Sequence, residues 1–187
     1  MEIKEELIQK IQARTAIVGV VGLGYVGLPF AVEKAKIGFK VIGIENNPLR
    51  AAKVNRGENY IQDVRDEELR ELVSRGVLIA DTGFDRVPEM DVIVICVPTP
   101  LTKNLTPDLQ YVEKVTREIS VRLRPGQLIS LESTTYPGTT EEVMLPILES
   151  SGLKVERDFF LVHSPERVDP GNKRYTTRNI CKVVGGV

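Results

Sequence analysis

AIVGVVGLGYVGLPFAVEKAKIGFKVIGIEN, residues 16–46, is the stretch that decides the fold. Its first apolar run, Ala16–Val21, is rich in β-branched residues and is typical of a strand buried on both faces. Three glycines follow that run, at Gly22, Gly24 and Gly27. A strand that leads into a glycine-rich turn and then a helix indicates a dinucleotide-binding unit, although the same glycines could serve a purely structural turn.

The residues after the turn favour the dinucleotide site. The pattern over Val26–Ile37 is helical and stops at Gly38, a residue suited to ending a helix. Lys40–Ile44 then predicts a second buried strand. In such a unit the first glycine allows the tight turn, the second lets the backbone approach a pyrophosphate, and the third brings the helix close to the strand. Because amides at a helix N-terminus favour phosphate charge, we expect the loop to bind a dinucleotide.

An acidic residue, Glu45, stands at the end of the second predicted strand. Its carboxylate can accept hydrogen bonds from the adenosine ribose hydroxyls and repel a 2′-phosphate, which favours NAD over NADP. Asn46 and Asn47 supply no cation for that phosphate, whereas Arg50 could reach it from the next helix. We therefore expect NAD as the cofactor and no metal ion.

The rest of the chain alternates between strands and helices, which predicts a parallel sheet with right-handed crossovers. We expect one α/β domain over residues 1–187: a doubly wound, Rossmann-like parallel sheet flanked by helices, with a leading helix in residues 1–15. Further strands are expected at Leu78–Ala80, Asp91–Pro100, Gln127–Leu131, Phe159–His163 and Ile180–Val184. Further helices are expected from Asn47-Pro48 onward and at Asp66–Arg75, Asp108–Arg122 and Thr139–Ser150.

Composition excludes several classes of protein. The 25 basic and 26 acidic residues give a net charge of -1, which argues against a nucleic-acid binder. The longest apolar runs are strand-sized, and the charged first residues lack the apolar core of a signal peptide. The two cysteines have no CxxC spacing and form no disulfide framework. We expect a cytoplasmic protein without a membrane partner.

Two clusters of hydroxyl side chains follow predicted strands. Thr99 stands between two prolines after the fourth strand, where its hydroxyl would lie near a nicotinamide ribose. Thr134 follows the fifth strand and is our other candidate for ligand contact. Thr139 or Thr140 is interpreted instead as the N-cap of the next helix.

A third polar cluster, HSPERVDPGN, follows the sixth predicted strand. There Glu166 could act as a base and Arg167 could bind a phosphate or a sugar hydroxyl, unless the two form a solvated surface ion pair. His163 is interpreted as a core histidine with its hydrogen bonds satisfied. Cys96 and Cys181 both fall in predicted strands and lack the polar, electropositive setting that a nucleophile needs.

Four ordered segments, GVVGLGYVGLP, CVPTPL, ESTTYPGTTE and SPERVDPGN, resemble the UDP-glucose/GDP-mannose dehydrogenase family of nucleotide-sugar dehydrogenases. The likeness spans about Ala16 to Gly186 and is strongest to the branch that oxidises UDP-N-acetylglucosamine at C6. It implies that a UDP-sugar is the substrate and that its C6 alcohol is oxidised to the uronic acid with two NAD. UDP-N-acetylmannosamine and UDP-glucose dehydrogenases are the alternatives within the family.

The resemblance also implies roles for individual residues. The cofactor set consists of Gly22, Gly24, Tyr25, Val26, Gly27, Glu45, Arg50, Thr99 and Thr134. Thr134 is also expected near the reacting centre, and Glu166 is the expected general base that acts on water. Arg167 and Val168 match positions that contact the nucleotide sugar.

The sequence departs from the family pattern in two ways. Pro170 stands where UDP-glucose enzymes carry a second glutamate, which favours an acetamido sugar. The catalytic Cys and Lys, the central dimerising helix and the UDP-binding domain are expected beyond Val187, so the chain alone is expected to be inactive and the intact protein a homodimer or higher homo-oligomer. A β-hydroxyacid dehydrogenase and a non-catalytic nucleotide-sensing module are the alternatives outside the family.

Overall fold

The computed structural model describes residues 2–167 and 179–187. In these ranges the strands are β1 (Ile17–Val21), β2 (Lys40–Ile44), β3 (Leu78–Asp81), β4 (Val92–Ile95), β5 (Leu128–Leu131), β6 (Phe160–His163) and β7 (Gly185–Gly186). They form one sheet in the order β3-β2-β1-β4-β5-β6-β7. β1 to β6 pair in parallel. The predicted doubly wound, Rossmann-like sheet is confirmed.

Helices cover both faces of this sheet. They are α1 (Ile3–Gln12), α2 (Gly27–Lys36), α3 (Pro48–Asn55), α4 (Asp66–Ser74), α5 (Gln110–Ser120) and α6 (Leu145–Glu149), with a 3₁₀ turn at Val87–Glu89 and a π-helical segment at Thr139–Met144. One buried apolar cluster joins the sheet to α2, α3 and α4. A second joins it to α5, α6 and the π-helical segment. The carboxyl ends of the parallel strands therefore meet at one edge between two layers of helices.

The prediction for the last strand was wrong. β7 is Gly185–Gly186 rather than Ile180–Val184, and it pairs antiparallel to β6. Val183 and Val184 are 61% and 62% exposed, so this apolar run is not a buried strand. Apolar residues alone do not identify a buried strand, because a short apolar run can also lie exposed on the surface.

The starts of two helices show why one capping prediction held and the other failed. Asn47 caps α3 as predicted, since its side-chain oxygen accepts hydrogen bonds from the amides of Leu49 and Arg50. The π-helical segment instead begins at Thr139 itself, after Gly138 in a left-handed conformation with φ 94°. Neither Thr139 nor Thr140 is its N-cap, because the Thr139 hydroxyl turns back to donate to the Tyr136 carbonyl at 2.8 Å.

A clasp of charged groups ties α1 to the amino-terminal edge of the sheet. Asp91, directly before β4, accepts a hydrogen bond from the Ile17 amide at 2.9 Å. The same carboxylate pairs with Lys10 of α1 at 3.1 Å and with Arg124 at 2.9 Å. We call Lys10, Asp91 and Arg124 the amino-edge clasp. It lies at the edge opposite to the one where the parallel strands end.

Candidate functional site at the carboxyl edge of the sheet

The glycine loop between β1 and α2 fits a closely bound phosphate group. Gly22 has φ 90°, and a Cβ there would lie 2.5 Å from the Cys96 carbonyl oxygen, so the tight turn requires glycine. A Cβ on Gly27 would lie 1.7 Å from the Gly22 carbonyl oxygen, which shows how closely α2 packs on the loop. A Cβ on Gly24 would meet no heavy atom within 4 Å. The backbone at Gly24 is therefore open to a ligand, in front of the N-terminus of α2.

Tyr25 and Val26 complete this loop. The Tyr25 side chain is 71% exposed, and Val26 is the residue that directly precedes α2. Both backbone amides belong to the turn that opens the helix, where N–H groups lack intrahelical partners. These two predicted cofactor residues lie in the loop with the three glycines.

Glu45 is buried beside the loop and contacts it directly. Its Oε2 accepts a hydrogen bond from the Leu23 amide at 3.2 Å, and its Oε1 accepts one from the Asn47 amide at 3.0 Å. The Tyr60 hydroxyl donates to the Leu23 carbonyl at 2.8 Å. The Leu23 residue is thus held on both its amide and its carbonyl side. Each carboxylate oxygen can accept a further hydrogen bond, so ribose hydroxyls can still bind Glu45.

Arg50 stacks on the same tyrosine. Its guanidinium carbon lies 5.6 Å from the Tyr60 ring centroid, within the range of a cation–π contact. Burial, and then the charge of Glu45, raise the pKa of Tyr60 to about 12, although Arg50 opposes this shift. The hydroxyl therefore stays protonated and remains a donor. Tyr60 was not singled out in the sequence, because nothing in its local pattern indicates a contact with a loop so distant along the chain.

The two threonine candidates lie together. The Thr99 hydroxyl donates to the Thr134 carbonyl at 2.7 Å, and the Ser133 hydroxyl donates to the Val97 carbonyl at 2.7 Å. These bonds join the segment after β4 to the segment after β5. The Thr134 side chain is exposed. Within the described residues its hydroxyl takes no part in these hydrogen bonds, so it is open to a ligand.

Glu166 lies in a buried ionic cluster rather than on the solvated surface. Lys182 Nζ is 3.0 Å from Glu166 Oε2 and also contacts a carboxylate oxygen of Glu132. The side chains of Glu132 and Glu166 are only 5% and 8% exposed. We call Glu132, Glu166 and Lys182 the carboxyl-edge triad. Glu132 and Lys182 were missed in the sequence, although the acid at the end of the buried run of β5 was a usable signal.

The Arg167 guanidinium contacts a backbone carbonyl rather than Glu166, the ion-pair partner that the sequence allowed. Its backbone amide donates to Glu166 Oε1 at 2.6 Å, while its guanidinium donates to the Cys181 carbonyl at 3.2 Å. Val168 and Pro170 lie outside the described residues. The predicted sugar contacts of this segment remain predictions.

The two cysteines and the histidine differ in their exposure and in their hydrogen bonds. Burial, and then the charge of Glu132, raise the pKa of the Cys96 thiol well above its usual range, so it stays protonated. Cys181 is exposed and lies outside every described strand, contrary to prediction. The interpretation of His163 as fully satisfied was also wrong: its buried Nε2 has no hydrogen-bond partner within residues 2–167 and 179–187.

Comparison with known proteins agrees with the geometry of the glycine loop and Glu45. Residues 16–187 match the model for the NAD-binding domain of the UDP-glucose/GDP-mannose dehydrogenase family. The chain belongs to this family. NAD is its cofactor, and the open glycine loop with Glu45 beside it fits that cofactor.

Relatives within the family act on several sugars. The chain is 39% identical over 170 residues to the UDP-N-acetyl-D-glucosamine 6-dehydrogenase of Pseudomonas aeruginosa, covering 90% of this chain and 39% of that protein. It is 35% identical to the UDP-N-acetyl-D-mannosamine dehydrogenase of Pyrococcus horikoshii, covering 91% and 41%. The crystal structure of the NDP-N-acetyl-D-galactosaminuronic acid dehydrogenase of Methanosarcina mazei matches with TM-score 0.87 and 33% identity, covering 100% of this chain and 42% of that one. The chain thus spans about two fifths of the length of these relatives.

Two further properties concern the described ranges. Every helix there is too short or too polar to cross a bilayer. No group of three or more His, Cys, Asp or Glu side chains there is arranged to hold a metal ion.

Proposed function

We propose that the chain is the NAD-binding part of a nucleotide-sugar 6-dehydrogenase that oxidises the C6 alcohol of UDP-N-acetylglucosamine to the uronic acid. One observation carries the proposal: the glycine loop, the two threonines and the buried Glu166 all lie at the carboxyl edge of one sheet. In open α/β sheets, ligands bind in the crevice at this edge. A dinucleotide in the loop would extend across β4 and β5 towards Glu166.

Each group at this edge has a part in the proposed reaction. The loop and Glu45 bind the adenosine and pyrophosphate, with Arg50 beside them. Thr99 and Thr134 orient the nicotinamide end and the reacting carbon. NAD, when bound, accepts a hydride in each of the two oxidations. After the second oxidation, Glu166 accepts a proton from the water that hydrolyses the thioester, which releases the uronic acid and the thiol. Arg167 and Val168 contact the nucleotide sugar.

The covalent nucleophile of this reaction comes from outside residues 1–187. A thiol serves as nucleophile through its thiolate, and the partly buried, protonated Cys96 does not form one readily. Cys181 is exposed, with the Arg167 guanidinium on its carbonyl, and the resemblance to the family assigns it no catalytic role. We therefore propose that the catalytic Cys and Lys, the dimerising helix and the UDP-binding domain belong to further segments of the intact enzyme.

The acetamido sugar is the finer part of the proposal. Pro170 occupies the position of the second glutamate in UDP-glucose enzymes, and several similar proteins are named for N-acetylated sugars. UDP-N-acetylmannosamine is the second candidate, since the mannosamine enzyme of Pyrococcus horikoshii is nearly as similar as the glucosamine enzyme of Pseudomonas aeruginosa.

The test is a substrate comparison with an enzyme that contains this chain and the remaining domains of the family. We expect the highest kcat/KM with UDP-N-acetylglucosamine among four sugars, the others being UDP-N-acetylmannosamine, UDP-glucose and GDP-mannose, and two NAD reduced per sugar. A higher value with another sugar would reassign the substrate. NAD binding without reduction on any sugar would favour a nucleotide-sensing module.

A further inference from the structure

The carboxyl-edge triad joins three separate segments of the chain. Glu132 directly follows β5, Glu166 follows β6, and Lys182 precedes β7. The Glu166 amide donates to the Glu132 carbonyl at 3.1 Å, so the backbone itself holds the two acidic residues side by side. The Lys182 side chain is 23% exposed and reaches both carboxylates. One ammonium group therefore serves two buried carboxylates.

This arrangement of charges affects whether the Glu166 carboxyl group is ionised. Two buried carboxylates beside each other disfavour ionisation of both, unless a cation compensates. A protonated carboxyl group cannot take a proton from water, so a base at this place needs a nearby positive charge. Lys182 is the cation in direct contact with Glu166 in the described residues.

The surroundings keep Lys182 charged. Burial alone would lower the pKa of Lys182, but the hydrogen bonds that Lys182 donates to Glu132 and Glu166 outweigh it and raise that pKa. Lys34 of α2 lies over the Phe30 ring at 4.8 Å, and Lys182 lies 5.9 Å from the same ring. Burial, and then the charge of Lys182, lower the pKa of Lys34. Among the described residues, the thiol of Cys96 is a further titratable neighbour, and it stays neutral.

We propose that Lys182, anchored by Glu132, is a positioning residue that holds the Glu166 carboxylate ionised and oriented at the carboxyl edge. The inference rests on the proposed function, in which Glu166 acts as the base. Lys182 acts through Glu166 and needs no contact with substrate or NAD. Glu132 fixes the ammonium between β5 and β6, so that Glu166 Oε1 keeps its bond to the Arg167 amide while Oε2 faces Lys182.

A first experiment tests the triad in this chain without any activity. Lysine ¹³Cε resonances are followed by NMR against pH, and the Lys182 signal is assigned by its loss in Lys182→Arg. We expect the Lys182 signal to titrate at a higher pH than the signals of exposed lysines. In Glu166→Gln, the pH at which it titrates should fall. The matched control is Glu113→Gln, which removes an exposed glutamate of α5. The triad would be overturned if the Lys182 signal titrated at the same pH as those of the surface lysines, or if its titration pH did not change in Glu166→Gln.

A second experiment uses the enzyme that contains this chain. Lys182→Met should move the acid limb of the kcat profile upward by about one pH unit, with KM for NAD unchanged. On that limb kcat should fall by up to about tenfold, whereas on the plateau at higher pH it should change little. Lys182→Arg retains the cation and should recover most of kcat. Glu132→Gln removes the competing carboxylate and should leave the acid limb in place or lower it.

The outcomes separate the two proposals. Wild-type kcat in Glu166→Gln would remove the base assigned in the proposed function. A second outcome is a large loss of kcat in Glu166→Gln together with a kcat of Lys182→Met that is lowered equally at every pH. This would overturn only the positioning role of Lys182. Lys182→Arg and Glu132→Gln keep the test informative if Lys182→Met fails to fold.

Discussion

At the scale of single residues, Leu23 shows how the glycine loop is held before a ligand arrives. Its amide donates to Glu45 and its carbonyl accepts from the Tyr60 hydroxyl. Its side chain packs over β2 so closely that a Cβ on Gly43 would lie 2.6 Å from Leu23 Cδ1. A loop fixed at amide, carbonyl and side chain loses little entropy on binding, which favours affinity.

Removal of the Glu45 carboxylate tests the adenosine end of the site. Glu45→Ala should weaken NAD binding about tenfold, because hydrogen bonds to a charged group are lost, and it should relax the bias against NADP. Calorimetric titration with both nucleotides measures the change. Glu58→Ala, at an exposed glutamate paired with Arg56, is the control. Unchanged affinity for both nucleotides would exclude Glu45 from the site.

Removal of the Tyr60 hydroxyl tests the loop alone, since Tyr60→Phe keeps the ring on which Arg50 stacks. We expect NAD and ADP to bind about threefold to tenfold more weakly, because one hydrogen bond that shapes the pyrophosphate turn is lost. Adenosine, which lacks the pyrophosphate, should bind unchanged. Tyr111→Phe, at a half-exposed tyrosine of α5, is the control. An equal loss for adenosine would contradict a role in shaping the loop.

From the sequence, we could single out only those site residues that a local pattern indicates. Glu45 and the three glycines were found because a strand, a turn and a helix surround them in order. Lys182 was missed because its local pattern, an apolar run, suggested a strand, whereas its environment is decided by two acids that lie far from it along the chain. Tyr60 was missed for the same reason. Contacts between distant segments require the fold before they can be seen.

At the scale of elements, the amino-edge clasp anchors α1 to the sheet through Asp91. Burial alone would raise the pKa of Asp91, but the Ile17 amide, Arg124 and Lys10 outweigh it and lower that pKa. A carboxyl group whose pKa is lowered on folding stabilises the fold above its unfolded pKa, and this contribution is lost as pH falls through the folded value. The clasp is therefore fully effective near neutral pH and weakens in acid.

Asp91→Asn tests that expectation. At neutral pH it should lower the free energy of unfolding by about 2 kcal/mol, because a buried charged acceptor is lost. The difference from wild type should start to shrink below about pH 4, where the carboxyl becomes protonated in the unfolded chain, and should go on shrinking until the folded carboxyl is protonated as well. Urea denaturation at several pH values measures both effects. Asp85→Asn, whose side chain is 93% exposed, should change stability little at any pH. A pH-independent difference would contradict the electrostatic origin.

Element-level prediction was strongest for the buried strands. β1, β2 and β4 are short β-branched runs, because strands covered on both faces tolerate almost no polar residue. The π-helical segment at Thr139–Met144 was predicted from the sequence only as part of a helix. β7 was misplaced because glycines carry no apolar signal at all.

At the scale of the whole molecule, the site on this chain binds the cofactor, and we propose that the covalent nucleophile belongs to other segments of the intact enzyme. We expect the isolated 187-residue chain to bind NAD and to reduce none in the presence of any UDP-sugar. Fluorescence titration with NADH measures binding, and absorbance of NADH measures turnover. The control for binding is Glu45→Ala. NAD reduction at a rate like that of an intact dehydrogenase would place the nucleophile within these residues.

The amino-edge clasp and the carboxyl-edge site lie at opposite ends of the same strands, about 15 Å apart for strands of four or five residues. Substitutions that are this distant and share no partner have effects on stability that usually add. A protein engineer can therefore strengthen the clasp end to offset destabilising changes introduced at the ligand end. The fold in this way offers one end for tuning thermal tolerance and another for redesigning cofactor or sugar preference.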